Sequence, residues 1–196
     1  MRRFGVAFLT VPFVLLLAAV PVAADTSPNG TSFSSSSSSC APSGGRQVCT
    51  EIDLSVSSNE DGSAGPPCVG IIKTSISSNG RSSVISDEFG CASSGTMAIG
   101  ADLSVTIEAT AIALNDCAKR NCPPSRTVTV SASDSPTGPV STTTTRSTTK
   151  DGSCTTKMTT TDTFVDLAGT LTIDGTVYDE TGSLDVFTST SITHCK

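Results

Sequence analysis

The sequence predicts an all-β fold, a disulfide-stapled antiparallel β-sandwich or barrel-like sheet of about ten short strands. Three observations lead to this prediction. Apolar residues alternate with Ser and Thr over several short stretches, which is the periodicity of a strand. Pairs such as Asn-Gly and Asp-Gly, which favour tight turns, separate these stretches. All eight cysteines follow an N-terminal leader, as in exported proteins that are cross-linked by disulfides.

The leader covers residues 1–24. Arg2 and Arg3 give it a positive start, an apolar run covers residues 6–20, and small residues lead up to Ala24. We therefore expect a signal peptide that is cleaved after Ala24, and a mature chain that is secreted or associated with the cell surface. The apolar run is short for a spanning helix and no stop-transfer pattern follows it, so we expect no membrane span after cleavage.

Acidic side chains outnumber basic ones. The formal net charge is −6, and loss of Arg2 and Arg3 with the leader makes the mature chain more acidic still. Phosphate backbones repel an acidic chain, which argues against nucleic acid as a partner. The chain has one tyrosine and no tryptophan. We therefore expect a modest aliphatic core, and such chains commonly rely on covalent staples.

Residues 25–45 precede the first strand-like stretch. The segment TSPNGTSFSSSSSSCAPSGG consists almost entirely of Ser, Thr, Gly and Pro. It offers little apolar surface, so burial would not offset the entropy lost on ordering it. We expect a flexible Ser-rich tether here.

From Arg46 onward the chain is predicted to form strands. Alternating apolar sets fall at residues 52–56, 103–107, 128–130, 165–173 and 184–186. Near Thr110 the apolar positions shift from odd to even numbers, which predicts a β-bulge. The segments 46–120 and 121–196 are distantly similar, and we interpret them as a first and a second β half, within one domain or two.

The cysteines are expected to form a disulfide framework. They are Cys40, Cys49, Cys68, Cys91, Cys117, Cys122, Cys154 and Cys195. A structural zinc site usually needs four convergent Cys or His ligands, and a redox site usually has two residues between its cysteines. The only histidine is His194, and four residues separate Cys117 from Cys122.

One turn predicts the best pair. A type I′ turn at Asn79–Gly80 would have positive φ at both residues, and counting outward from it places Cys68 opposite Cys91. Opposed residues of a hairpin lie close enough for a disulfide.

A second turn predicts the next pair. Counting outward from the turn at residues 136–139 places Cys122 opposite Cys154, and Cys117 then pairs elsewhere, for instance with Cys195. The alternative is a local Cys117–Cys122 loop with Cys154 paired to Cys195. The spacing leaves both connectivities open.

Candidate metal ligands occur in DGTVYDETGSLD, residues 174–185. Four carboxylates there could bind calcium, which prefers oxygen ligands: Asp174, Asp179, Glu180 and Asp185. Their spacing matches no EF-hand, and Asp-Gly and Thr-Gly pairs first of all form hairpin turns. We therefore expect no metal and no cofactor.

No pattern typical of a catalytic site is present. A Ser-His-Asp hydrolase would need His194 as its base. His194 lies beside Cys195 near the end of the chain, and no G-x-S-x-G motif occurs. We expect no enzymatic activity.

Three functional hypotheses remain. The leading one is a secreted, non-catalytic β-module whose partner is an extracellular protein or a glycan. The second is a secreted protease inhibitor that presents the loop CAKRNCPP, in which Lys119 and Arg120 would suit an acidic specificity pocket. The third is a small secreted hydrolase. The Thr-rich run at residues 141–163 is either a recognition face or a strand pair whose Lys and Arg residues prevent edge-to-edge aggregation.

Overall fold

The computed structural model describes residues 24–59 and 61–195, with side chains from residue 30 onward. The predicted signal peptide therefore lies outside the described residues, apart from the backbone of Ala24. The described ranges contain strands and turns and no helix. Accordingly, they include no helix long and apolar enough to cross a membrane.

Ten antiparallel strands joined in one sheet make up the fold, which confirms the all-β prediction. They are β1 (Ala24–Ser43), β2 (Arg46–Val56), β3 (Cys68–Ile76), β4 (Ser82–Cys91), β5 (Gly95–Ile99), β6 (Val105–Asp116), β7 (Pro124–Pro136), β8 (Ser141–Asp151), β9 (Cys154–Ile173) and β10 (Thr176–Cys195). Three of them, β1, β9 and β10, have 20 residues each and are longer than expected.

The sheet closes on itself. Its strand order is β10-β1-β2-β3-β4-β6-β7-β9-β8, and β10 also pairs with β9. Hydrogen-bonded neighbours thus form a ring, whereas β5 pairs with β6 and β8 pairs with β9 outside it. The structure therefore has a single closed sheet instead of two stacked sheets.

The alternating apolar side chains point into the ring and form one core. Its largest members, each at most 2 % exposed, are Phe33, Ile52, Leu54, Val56, Val69, Val105, Ile107, Ile112, Leu114, Leu167, Leu171 and Leu184. The predicted bulge in β6 is confirmed by a register shift between Ala109 and Ile112. Ala111 has a φ of 57° there, and the extra residue keeps both Ala109 and Ile112 buried.

The predicted flexible tether, residues 25–45, is wrong. The segment forms β1, which pairs with β10 on one side and β2 on the other. Phe33, Ser35 and Ser37 are 2 %, 5 % and 8 % exposed and face the interior. Hydrogen bonds along both edges satisfy the backbone of this strand, and small serine side chains fit a crowded inner face. Composition alone therefore understated what the segment gains by ordering.

A ribbon extends beyond the ring. We define it as β8 together with residues 154–164 of β9 and 185–195 of β10. Every residue of β8 is exposed, and β8 pairs with β9 along its whole length. Strand β8 is therefore open on both faces, whereas residues 185–192 of β10 also pair with β1 and include buried Ser189.

Three disulfides join directly opposed cysteines on neighbouring strands. They are Cys40–Cys49, Cys68–Cys91 and Cys154–Cys195, with Cα–Cα distances of 4.0, 3.9 and 4.0 Å. Each disulfide links the two strands of one antiparallel pair, namely β1 to β2, β3 to β4 and β9 to β10.

The Cys68–Cys91 bridge is present, but the turn predicted for it is wrong. Only Gly80 has a positive φ, 79°, so Asn79–Gly80 is not a type I′ turn. The hairpin loop is one residue longer than predicted, which shifts the register by one. A bulge after Lys73 shifts the register back, and the two cysteines still meet.

The predicted Cys122–Cys154 pair is wrong. Strands β7 and β8 do not form a hairpin, because both pair with the long strand β9. A two-residue turn at Asp174–Gly175, with φ values of 49° and 80°, sets β10 against β9 and brings Cys154 opposite Cys195. Cys117 and Cys122 are exposed and form no disulfide, so six of the eight cysteines are joined.

Candidate binding groove

A groove of about 630 Å³ lies on the outer face of strands β2, β1, β10 and β9. We call it the outer groove. It is lined chiefly by Ser34, Ser36, Asp53, Phe164, Asp166 and Ser183. Strand register puts Ser34 directly between Ser55 and Ser183, and Ser183 directly opposite Asp166. Neighbouring strands thus place hydroxyls and carboxylates in continuous rows.

The lining of the outer groove is acidic and rich in hydroxyl groups. The residues that line it include Asp53 and Asp166 but no lysine or arginine. The hydroxyls of Ser34 and Ser183 lie 3.4 Å apart. Ionised carboxylates only accept hydrogen bonds, whereas hydroxyls donate and accept. The groove therefore suits a ligand that carries many hydroxyl or ammonium donors.

Two aromatic and two further acidic side chains continue this face. The register of β9 and β10 sets Phe164 opposite Asp185, and Asp162 opposite Phe187. Phe164 and Phe187 are 43 % and 40 % exposed. A hydrogen bond with Asp162, burial and the charge of Asp162 together raise the pKa of Asp185. This face was not predicted from the sequence, although Asp162, Phe164 and Asp166 occupy alternate positions on the side of β9 opposite buried Val165.

A second acidic pair lies inside the ring. Asp134 on β7 and Glu180 on β10 are 1 % and 3 % exposed. Both lie directly opposite Gly169 on β9, the strand between them. A Cβ at Gly169 would be 2.5 Å from Asp134 Oδ1. The glycine therefore leaves the space in which the two carboxyl groups meet.

The interior pair is built to hold a proton. Ser35 Oγ donates to Glu180 Oε2 at 2.5 Å. Beyond the pair itself, Glu180 Oε1 and both Asp134 oxygens have no hydrogen-bond partner among the described residues. Burial, opposed by the Ser35 bond and reinforced by the Asp134 charge, raises the pKa of Glu180 to about 7. Burial likewise raises the pKa of Asp134. A carboxyl group that keeps its proton can donate to its neighbour.

The loop that contains Lys119 and Arg120 connects β6 to β7. Lys119 Nζ lies 3.0 Å from Asp116 Oδ2, and Asp116 is almost fully buried. This bond is the main cause that lowers the pKa of Asp116. The thiols of Cys117 and Cys122 form a hydrogen bond, and this bond is the main cause that raises the pKa of Cys117 to about 11. The two thiols are thus neighbours, as the local-loop alternative requires.

The four candidate calcium ligands do not converge. Asp174 lies in a turn, where its Oδ1 accepts from the Thr129 amide at 2.9 Å. Glu180 points into the ring, Asp179 is exposed, and Asp185 lies on the outer face beside Asp162. Among the described residues, no group of three or more His, Cys, Asp or Glu side chains could hold a metal ion.

Comparison with known proteins gives no family for the chain. No family model matches it, and no curated protein matches it. A solved structure aligns with the chain, that of a Nitrosomonas europaea protein described as an AttH candidate. The alignment covers 83 % of this chain and 51 % of that protein, with 7 % sequence identity and a TM-score of 0.23. The chain thus spans about half the length of that protein, and a likeness this weak bears on neither fold nor function.

Proposed function

We propose that the protein is a secreted, non-catalytic binding module that holds a neutral glycan in the outer groove. The observation that carries the proposal is the groove itself, with its rows of hydroxyls and carboxylates beside an exposed phenylalanine. The three disulfides support export, because disulfides persist in oxidising compartments outside the cell. The predicted signal peptide supports the same location.

The chemistry of the groove favours a polyhydroxylated ligand. Asp53 and Asp166 can accept hydrogen bonds from sugar hydroxyls, and the serines can both donate and accept. Phe164 offers a flat apolar surface on which a sugar ring can pack. An anionic ligand would be repelled, since none of the described basic side chains lines the groove.

The other two hypotheses have less support. As a protease inhibitor the chain would present Lys119 and Arg120, but the Lys119 side chain is already paired with buried Asp116. As a hydrolase it would need a base within reach of a nucleophile. In the part of the chain that the structure describes, His194 is exposed and the interior acid pair is closed to solvent.

Glycan titration tests the proposal. The mature protein is screened against neutral oligosaccharides, and the best ligand is titrated by calorimetry. Phe164→Ala should weaken binding about 2- to 10-fold, because it removes one aromatic packing surface. Phe89→Ala is the matched control, since Phe89 is 52 % exposed on β4 and away from the groove. Failure of every neutral glycan to bind, or an equal loss in both variants, would refute the proposal.

A further inference from the structure

The ribbon has one face on which every charged side chain is cationic. Register sets Arg146 opposite Thr159, Lys157 opposite Thr148, and Lys150 opposite Thr155. Since opposed residues share a face and alternate residues change face, the three basic residues lie on the same side. His194 lies opposite Thr155 on that side as well. We call Arg146, Lys150 and Lys157 the cationic face.

The acids of the ribbon lie on its other face. Asp162 is an odd number of residues from Lys157 along β9, and Asp185 lies opposite Phe164, so both point to the side away from Lys157. Asp151 directly follows Lys150 in β8 and therefore also points to that side. None of the salt bridges among the described residues involves the cationic face. Arg146, Lys150 and Lys157 are all exposed. The formal net charge of the chain is −6, yet the cations on this face of the ribbon lie apart from the carboxylates of the ribbon.

The three cations are spaced to contact one extended chain. Lys157 lies diagonally between Arg146 and Lys150 across the β8–β9 pair. Diagonal neighbours in an antiparallel pair are about 7–8 Å apart. Rows of threonine hydroxyls, such as Thr144, Thr161 and Thr188, lie on the same face. The face can therefore form ion pairs at intervals and hydrogen bonds between them.

We propose that the ribbon binds an anionic polysaccharide through the cationic face. Charge complementarity identifies this occupant: carboxylate or sulfate groups spaced along a hydroxyl-rich polymer match separated cations among threonines. Nucleic acid fits less well, because the face has no Phe, Tyr or Trp side chain on which a base could stack. This site is separate from the outer groove, for which we propose a neutral ligand.

The experiment compares two charge-matched variants. Arg146→Gln/Lys157→Gln removes two neighbouring cations of the face, and Arg46→Gln/Arg81→Gln removes two exposed cations elsewhere. The mature protein is titrated with polygalacturonate, and with neutral dextran as the uncharged polymer. We expect polygalacturonate to bind, more weakly at higher salt, and any binding of dextran to be the same in the wild type and in Arg146→Gln/Lys157→Gln. The first variant should lose about 2- to 30-fold in affinity, since exposed ion pairs contribute about 0.2–1 kcal/mol each, and the second should lose little.

Several outcomes would overturn the proposal. Equal losses in both variants would show that only diffuse charge matters. Tighter binding of a single-stranded oligonucleotide than of polygalacturonate would identify nucleic acid as the partner. If Arg146→Gln/Lys157→Gln oligomerises by size-exclusion chromatography while its polygalacturonate affinity is unchanged, the cations protect the β8 edge instead. None of these outcomes affects the neutral-glycan test, because Phe164 is not part of the cationic face.

Discussion

Replacement of Glu180 by glutamine should make the protein more stable at alkaline pH. Glu180 is 3 % exposed and faces Asp134, so its ionised form is unfavourable in the folded state. The pKa rises from an ordinary value of 4.5 to about 7. That difference corresponds to about 3 kcal/mol between the two protonation states.

The sign of the pH dependence follows from the raised pKa. Between the two pKa values the folded chain binds more protons than the unfolded chain, so stability falls as pH rises. The contribution of Glu180 is fully present below pH 4.5 and is lost as pH rises through about 7. Burial also raises the pKa of Asp134, which acts in the same direction. The wild type should therefore be more stable at pH 5 than at pH 8.5, by about 2.5 kcal/mol from Glu180 alone.

In Glu180→Gln, an uncharged amide can donate to Asp134 at every pH. The variant should lose most of the pH dependence and exceed the wild type in stability at pH 8.5. Urea unfolding followed by circular dichroism at pH 5, 6, 7 and 8.5 measures both effects. Glu108→Gln makes the same chemical change at an exposed position of β6 and should keep the wild-type profile. A wild-type profile that is flat or rises toward pH 8.5, or a variant destabilised there, would refute this account of the pair.

Three further predictions concern packing and cysteines. Gly169→Ala should destabilise by about 1–3 kcal/mol in urea unfolding, because its Cβ would lie 2.0 Å from a backbone oxygen of β7. Gly138→Ala should be nearly neutral, since its nearest contact is at 4.0 Å. Replacing both cysteines of Cys154–Cys195 should lower the free energy of unfolding by about 4 kcal/mol, and replacing those of Cys40–Cys49 by about 3 kcal/mol, because the first disulfide encloses the longer loop. Equal losses would contradict this. Alkylation of the Cys117 thiol, followed by mass spectrometry, should be slow at pH 7 and accelerate with pH, since its pKa is about 11.

Much of the sheet could be predicted because strand periodicity is local. The apolar sets around Ile52, Ile107, Val130 and Leu167 all face the core, and a change of phase was enough to place the bulge in β6. β1 could not be found in this way, since its inner face carries serines at alternate positions. Strand pairing with β10 involves the other end of the chain and leaves no local signal.

The cysteine pairing shows from which turns the register of the flanking strands can be counted correctly. At Asp174–Gly175 both residues have positive φ, and simple counting from this turn gives Cys154 opposite Cys195. Gly44 and Gly45 also have positive φ, and counting from them gives Cys40 opposite Cys49. The same count at Asn79–Gly80 succeeded only because the longer loop and the bulge cancel. Counting from a turn therefore gives the register directly where both turn residues have positive φ, but the two turns used for prediction, Asn79–Gly80 and residues 136–139, are not of this kind.

The interior acid pair left a signal in the sequence that apolar periodicity alone does not detect. Asp134 is in phase with Val128 and Val130, Gly169 is in phase with Leu167, and Glu180 is in phase with Leu184. Each is an exception to an inward-facing set, and strand pairing places the three in one row across β7, β9 and β10. A carboxyl group in a buried phase needs a partner, and a glycine in the same row makes room for one. Polar and glycine exceptions to a strand's buried phase can therefore be predicted to meet, once the order of the strands is known.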